Sequence, residues 1–160
     1  MTQVSSVKIP SVNIEPVSAS EFFSIPNIKR LIDEYRIECA NVAFGLAPPD
    51  REYYERLEAA GALFPAVMKD DKGNAVGFVV LLAVSLPHFK GKLMANVESI
   101  FLTKSHRKGT AGLRLIQWAR KKAASLGAIG VYLSAPVDSR LETLASKIFK
   151  KTNSVFFIGV

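Results

Sequence analysis

Between Ser20 and Cys39 the apolar residues Ile28, Leu31, Ile32, Tyr35 and Cys39 recur three and four apart, the spacing of one helix face. Ser20 reads as the N-cap of this region and Pro26 as a break within it; Ile14 to Val17, ahead of it, reads as a short first strand. The loop Pro48-Pro49-Asp50 leads into REYYERLEAAG, a second helix closed by Gly61. The pattern then changes to strands, Leu63 to Lys69 and Ala75 to Ser85, joined as a hairpin by Asp70-Asp71-Lys72-Gly73-Asn74. The longest apolar run, Ala75 to Leu86, falls short of the roughly 20 residues of a membrane span and fits a buried strand. After a loop around Pro87 to Lys92 the chain alternates. A strand from Met94 to Thr103 precedes a helix from Thr110 to Leu126, with Leu115, Ile116, Ala119, Ala123 and Leu126 on its buried face and Gly127 as its stop. Next come a strand from Ile129 to Ser134 and a helix from Ser139 to Lys151, with Leu141, Leu144, Ala145, Ile148 and Phe149 on one face. A final strand is expected from Val155 to Val160.

This order gives an α/β (α+β) class, and 160 residues suit one domain with a real core. We place that domain at residues 13–160, after an N-terminal segment, 1–12, free to be flexible. The single cysteine, Cys39, excludes an internal disulfide, and MTQVSSVKIPS lacks the basic head and apolar stretch of a secretory signal. A cytoplasmic location without membrane contact is the expectation. Charge is unevenly distributed. Ser99 to Val137 contains no Asp or Glu but seven basic residues, Lys104, Arg107, Lys108, Arg114, Arg120, Lys121 and Lys122, while the rest of the chain carries 14 residues of each sign. The whole net charge of +7 therefore surrounds one strand, one turn and one helix. Such a field attracts a polyanionic small molecule and would also attract nucleic acid.

The turn itself, Ser105-His106-Arg107-Lys108-Gly109-Thr110-Ala111-Gly112, combines small residues that admit a ligand close to the backbone with two cations at a helix start. Unpaired N–H groups and the positive end of the helix dipole favour an anion there. A pyrophosphate suits this arrangement. The Gly-x-x-x-x-Gly-Lys-Ser/Thr loop of nucleotide triphosphatases is absent, and Gly109-Thr110-Ala111-Gly112 does not match the dinucleotide fingerprint.

The segment resembles the cofactor-binding motif Arg/Gln-x-x-Gly-x-Gly/Ala of the GCN5-related N-acetyltransferase (GNAT) superfamily, with Arg107 first, Gly112 last and Thr110 in place of the middle glycine. Leu115 and Ile116 fill the apolar pair that follows. The resemblance extends over nearly the whole order of elements. It implies a mixed, mostly antiparallel sheet flanked by helices, with a V-shaped opening between the fourth and fifth strands. The family usually ends in two strands after its last helix; this chain has room for one, which allows a homodimer to complete the fold. The implied activity is transfer of an acetyl group from acetyl-CoA to a primary amine, directly within a ternary complex and without a metal. The amine is carried by a small molecule or a protein.

For the site, the resemblance implies that Phe101, Leu102 and Thr103 offer main-chain groups to the pantetheine arm. The turn from Arg107 through Lys108, Gly109, Thr110, Ala111 and Gly112 to Leu113 would take the pyrophosphate, with Arg114 and Lys121 in reach of the 3′-phosphate. Attack requires a neutral amine, and a lysine-like amine with a pKa near 10.4 is about one part in a few thousand neutral at pH 7. A general base is therefore useful. Glu98 matches the family's catalytic glutamate and is the only carboxylate near this segment. Alternation puts it on one strand face with Ile100 and Leu102, whose apolar surroundings would raise its pKa. Where the family often carries a tyrosine that protonates the leaving thiolate, this chain has Phe149, and Glu142 replaces an asparagine seven residues earlier. Water, Tyr132 or His106 are the substitutes available. His88 and His106 are read as exposed loop histidines, with the acceptor and a phosphate as their respective alternatives. Cys39, Trp118 and Phe156-Phe157 are read as core. Two other functions remain open: a nucleic-acid-binding module using the basic helix, and a non-catalytic CoA-binding regulator, for which Phe149 and Thr110 speak. We assign the basic excess to coenzyme A.

Overall fold

A computed structural model of the chain describes residues 12–39, 45 and 47–159. Segment 1–11 and Val160 lie outside the described residues, so the expected flexible leader is not described except for Val12, which opens the first strand. Five strands form one sheet in the order β1 (Val12–Pro16), β2 (Leu63–Asp70), β3 (Ala75–Ser85), β4 (Leu93–Leu102) and β5 (Val131–Leu133). The first four pair antiparallel and β5 runs parallel to β4. Helices α1 (Ala19–Ser24), α2 (Ile28–Glu38) and α3 (Arg51–Ala59) lie between β1 and β2 in the chain, α4 (Ala111–Ser125) makes the parallel crossover, and α5 (Arg140–Ile148) follows β5.

Local chemistry starts three of these helices. Ser18, not Ser20, caps α1: its hydroxyl accepts from the Glu21 amide and the Glu21 carboxylate accepts from the Ser18 amide, a reciprocal box that requires Glu at the third position after the cap. Ser20 lies within α1. Asp50 caps α3 by accepting from the Tyr53 amide at 2.9 Å, and Ser139 caps α5.

Strand β3 is buried on both faces from Ala75 to Leu81, which explains its continuous apolar run. On one face Val76, Val79 and Leu81 meet Leu115, Ala119 and Ala123 of α4. On the other, Phe78 and Val80 meet Phe22, Leu31 and Ile32 of α1 and α2. Aromatic edges organise that second layer, with Phe78 5.5 Å from Phe22 and 5.7 Å from Tyr35, centroid to centroid.

The sheet splits between β4 and β5. Pairing extends only through Ala95 with Val131, Asn96 with Tyr132 and Val97 with Leu133. From Glu98 to Leu102 no described strand pairs with β4 on that side, which is the V-shaped opening expected of the fold. Among the described residues no helix is long and apolar enough to cross a membrane.

The C-terminal part departs from expectation. Residues 155–159 form no strand, and Val155, Phe156 and Ile158 are more than 80% exposed, so Phe156 and Phe157 are not core. β-branched and aromatic content supplies strand propensity, but a strand exists only when it pairs with an edge, and residues 155–159 pair with none of the described strands. Helix α5 ends at Ile148, earlier than the apolar spacing predicts, because Phe149 turns extended (φ −117°, ψ 153°). None of its residues is fully buried.

Candidate functional site

The opening is built around an irregularity in β4. Val80 faces Ser99 and Leu81 faces Val97, so Glu98 is an extra residue with no partner on β3. Such a bulge reverses the alternation of every residue beyond it. Ala95 and Val97 before it, and Ile100 and Leu102 after it, therefore all pack toward α4. Glu98 does not share their face, contrary to the alternation expected from the sequence. It lines a cleft of about 300 Å³ on the opposite side, with Ser99, Phe78, Tyr35, Tyr54 and Cys39 among its walls.

Glu98 is exposed, and its carboxylate accepts a hydrogen bond from the Tyr54 hydroxyl at 3.2 Å. Burial pushes the Tyr35 phenol up to about 12, with the negative charge of Glu98 adding to the effect. The Tyr54 phenol is raised for the same two reasons, burial first. Both tyrosines therefore remain neutral donors at physiological pH. Burial, with Glu38 as a second cause, also holds the Cys39 thiol above its ordinary value, against the opposing charge of Arg107. Cys39 is the half-buried C-cap of α2 and part of the cleft wall, not a core residue. Tyr35 and Tyr54 were not singled out from sequence as site residues. Tyr35 was read only as part of an apolar stripe, and no local motif ties Tyr54 to a strand 44 residues away.

At the other end of the opening, β4 runs into the glycine turn. Phe101, Leu102 and Thr103 are buried, and the Thr103 amide donates to the Val76 carbonyl at 2.8 Å. A single 3₁₀ turn, Lys104–His106, carries the chain to Arg107. There the His106 ring Nδ1 lies 2.9 Å from the Thr103 hydroxyl and 3.0 Å from that of Ser105, so local hydroxyls engage this nitrogen. Gly109 takes φ +78°, a left-handed conformation in which a side chain is strained. Thr110 precedes α4 without capping it through its side chain. The Arg114 amide donates to the Thr110 carbonyl at 2.9 Å, and the helix start leaves the amides of Ala111, Gly112 and Leu113 ahead of it without partners inside the helix. No acidic residue stands in this first turn. Gly112 has no internal reason to be glycine: its φ is not positive and an added Cβ would meet open space.

The two cations of the turn behave differently. Lys108 is exposed. Arg107 is folded back: its Nε donates to the Leu102 carbonyl at 2.6 Å and its Nη2 to Glu38 at 2.6 Å. Its charge is thus paired, and it does not add a free cation to the turn as its place in the motif suggests. Arg114 and Lys121 are exposed on α4, whereas the Lys122 ammonium lies 4.4 Å from the centre of the Phe64 ring. The remaining candidates are apart from this arrangement. His88 and Tyr132 are exposed. Phe149 stands at the end of α5, and Glu142 accepts from the Asp138 amide at 2.7 Å, which gives it a capping role at the start of α5. Among the described residues no cluster of three or more His, Cys, Asp or Glu side chains is placed to hold a metal ion.

Solved structures share this architecture over almost their full length. A ribosomal-protein-alanine N-acetyltransferase from Brucella melitensis biovar Abortus 2308 is 22% identical, with 94% of this chain and 99% of that one covered at a TM-score of 0.71. A GCN5-related N-acetyltransferase from Ralstonia eutropha JMP134 is 18% identical, covering 92% and 98% at 0.72. The protein AAC(6')-Iy, solved with the bisubstrate analogue CoA-S-monomethyl-acetylneamine, is 15% identical, covering 94% and 98% at 0.70. No protein-family model and no curated protein sequence matches the chain. The chain shares its fold with these solved structures, the GCN5-related N-acetyltransferase among them.

Proposed function

We propose that the chain is an N-acetyltransferase that moves an acetyl group from acetyl-CoA to a primary amine within a ternary complex. One observation carries this reading: β5 leaves β4 at Val97, where the bulge presents Glu98 to an aromatic cleft, and the same strand ends at a helix start without a side-chain cap. The residues present suit coenzyme A. The amides of Ala111, Gly112 and Leu113, with Lys108 and the dipole of α4, would take the pyrophosphate, and the open space beside Gly112 admits it. The edge of β4 around Phe101 to Thr103, which β5 does not cover, would take the pantetheine arm as an added strand, and Arg114 and Lys121 would reach a 3′-phosphate. Bound there, acetyl-CoA would supply an acyl group already activated as a thioester.

The chain's own part is to prepare the amine. Glu98 accepts the proton that the ammonium must lose, and the Tyr54 hydroxyl orients the carboxylate that receives it. Glu98 offers a counter-charge to an arriving ammonium, and Phe22, Tyr35 and Phe78 provide apolar walls for the carbon skeleton that bears it. A thiol with a pKa near 8.5 leaves as thiolate without a dedicated acid, so Phe149 is compatible with turnover. The test is a melting curve with acetyl-CoA followed by thiol release from a panel of amines. At 100 times the dissociation constant, linkage stabilises the fold by about 2.7 kcal/mol. A curve unmoved by millimolar acetyl-CoA refutes the reading.

A further inference from the structure

The last residue of α2 and the glycine turn are 69 positions apart in the chain and are joined by one side chain. Arg107 donates from Nη2 to the Glu38 carboxylate and from Nε to the Leu102 carbonyl, and its guanidinium carbon lies 5.4 Å from the centre of the Phe101 ring. This pair joins two elements and is less exposed than most of the i, i+4 pairs along the helices. The Arg107 and Glu38 side chains are 25% and 29% exposed, against 88% and 39% for Lys29 and Asp33. Less water screens it, and the planar fork meets two acceptors at once. Glu38 also has Lys104 at 3.8 Å, but that ammonium is 81% exposed and contributes little.

We propose that Glu38 is a positioning residue for the cofactor turn: it holds the Arg107 guanidinium against the final carbonyl of β4, so that Arg107 shapes the turn and does not itself meet phosphate. The proposal rests on the acetyl-CoA reading above. It also links the two halves of the site, because α2 carries Tyr35 and ends beside Cys39, both in the cleft wall. A shift of Arg107 would move the end of β4 and the cleft wall together.

The two possible roles of Arg107 predict opposite signs. If Arg107 were a phosphate ligand resting on Glu38, the carboxylate would compete with the phosphate, and removing it would tighten binding of a polyanion. If Glu38 positions Arg107, removing it loosens the turn, and binding weakens although a negative charge has been taken away. The experiment is calorimetric titration of coenzyme A into wild type, Glu38→Gln, Glu38→Asp and Arg107→Lys, with circular dichroism melting to establish that each variant is folded. The expected result is a loss of affinity of about 10-fold in Glu38→Gln, the scale of one charge-assisted hydrogen bond. Glu38→Asp, too short to span the gap, weakens binding in the same direction, and so does Arg107→Lys, which keeps the charge but lacks the fork. Lys29→Met, at an exposed pair on the same helix as Glu38, changes affinity by less than about twofold. Wild-type or tighter binding in a folded Glu38→Gln or Glu38→Asp overturns the proposal, as does full affinity in Arg107→Lys. Absence of coenzyme A binding to wild type overturns the function itself, and with it this inference.

Discussion

Replacing Gly77 with alanine tests whether β3 and the end of β4 are in rigid contact at the site. Gly77 pairs with Leu102 in the ladder, and a Cβ built on it falls 2.7 Å from the Phe101 carbonyl oxygen and 2.9 Å from a Leu102 methyl. Ordinary contact begins near 3.4 Å, so the backbone oxygen must retreat by about 0.7 Å. It has little freedom to do so, because the Thr103 amide is bonded to the Val76 carbonyl and Phe101 is locked between Phe78 and Tyr35. Overpacking of this kind costs about 1–3 kcal/mol, offset by a few tenths to 1 kcal/mol from the stiffer unfolded chain. The expected net loss is about 1–2 kcal/mol, which for a domain of this size lowers Tm by about 2–8 °C. Gly112→Ala is the matched control, since its Cβ meets open space in the first turn of α4. It should raise stability by up to about 1 kcal/mol and leave coenzyme A affinity within a few-fold of wild type, because the resembled motif takes glycine or alanine at this position. The assay is urea unfolding of wild type and both variants, with coenzyme A titrated into each. A Gly77→Ala protein within about 0.5 kcal/mol of wild type would refute the argument that the end of β4 is held rigidly.

Glu98→Gln should leave coenzyme A affinity intact and lower turnover about 10²–10⁴-fold, measured by thiol release once an accepted amine is found; an unchanged rate across pH 6 to 9 would place the base elsewhere. Tyr35, held near 12 when folded against about 10 when unfolded, binds its proton more tightly in the native state. Its contribution to stability is therefore complete below about pH 10 and is lost as pH rises through about 12. Ultraviolet titration of wild type against Tyr35→Phe isolates this phenol, and ionisation near 10 in the folded protein would show that burial does not control it.

How much of this was legible beforehand differs from element to element. Strand β3 and helix α4 were readable to within a residue or two, because a continuous apolar run and a 3.6-residue stripe leave few alternatives when both faces, or one, must be buried. The glycine turn was readable for the same local reason: small residues and a helix start lie within a few positions of each other. The bulge was not, since strict alternation through Glu98 would have put it with Ile100 and Leu102, and only the pairing with β3 shows that one residue has no partner. Nor was the fate of Arg107, whose charge is directed by Glu38, a residue remote in the chain. Strand propensity at 155–159 was real but insufficient, because a strand depends on an edge to pair with. The sequence by itself determined the elements with their own periodicity and the glycine turn ahead of α4, since those follow from neighbours along the chain. The tertiary structure decided which face Glu98 serves, what Arg107 pairs with and which tyrosines line the cleft, because each depends on groups brought together only when the sheet and its helices pack.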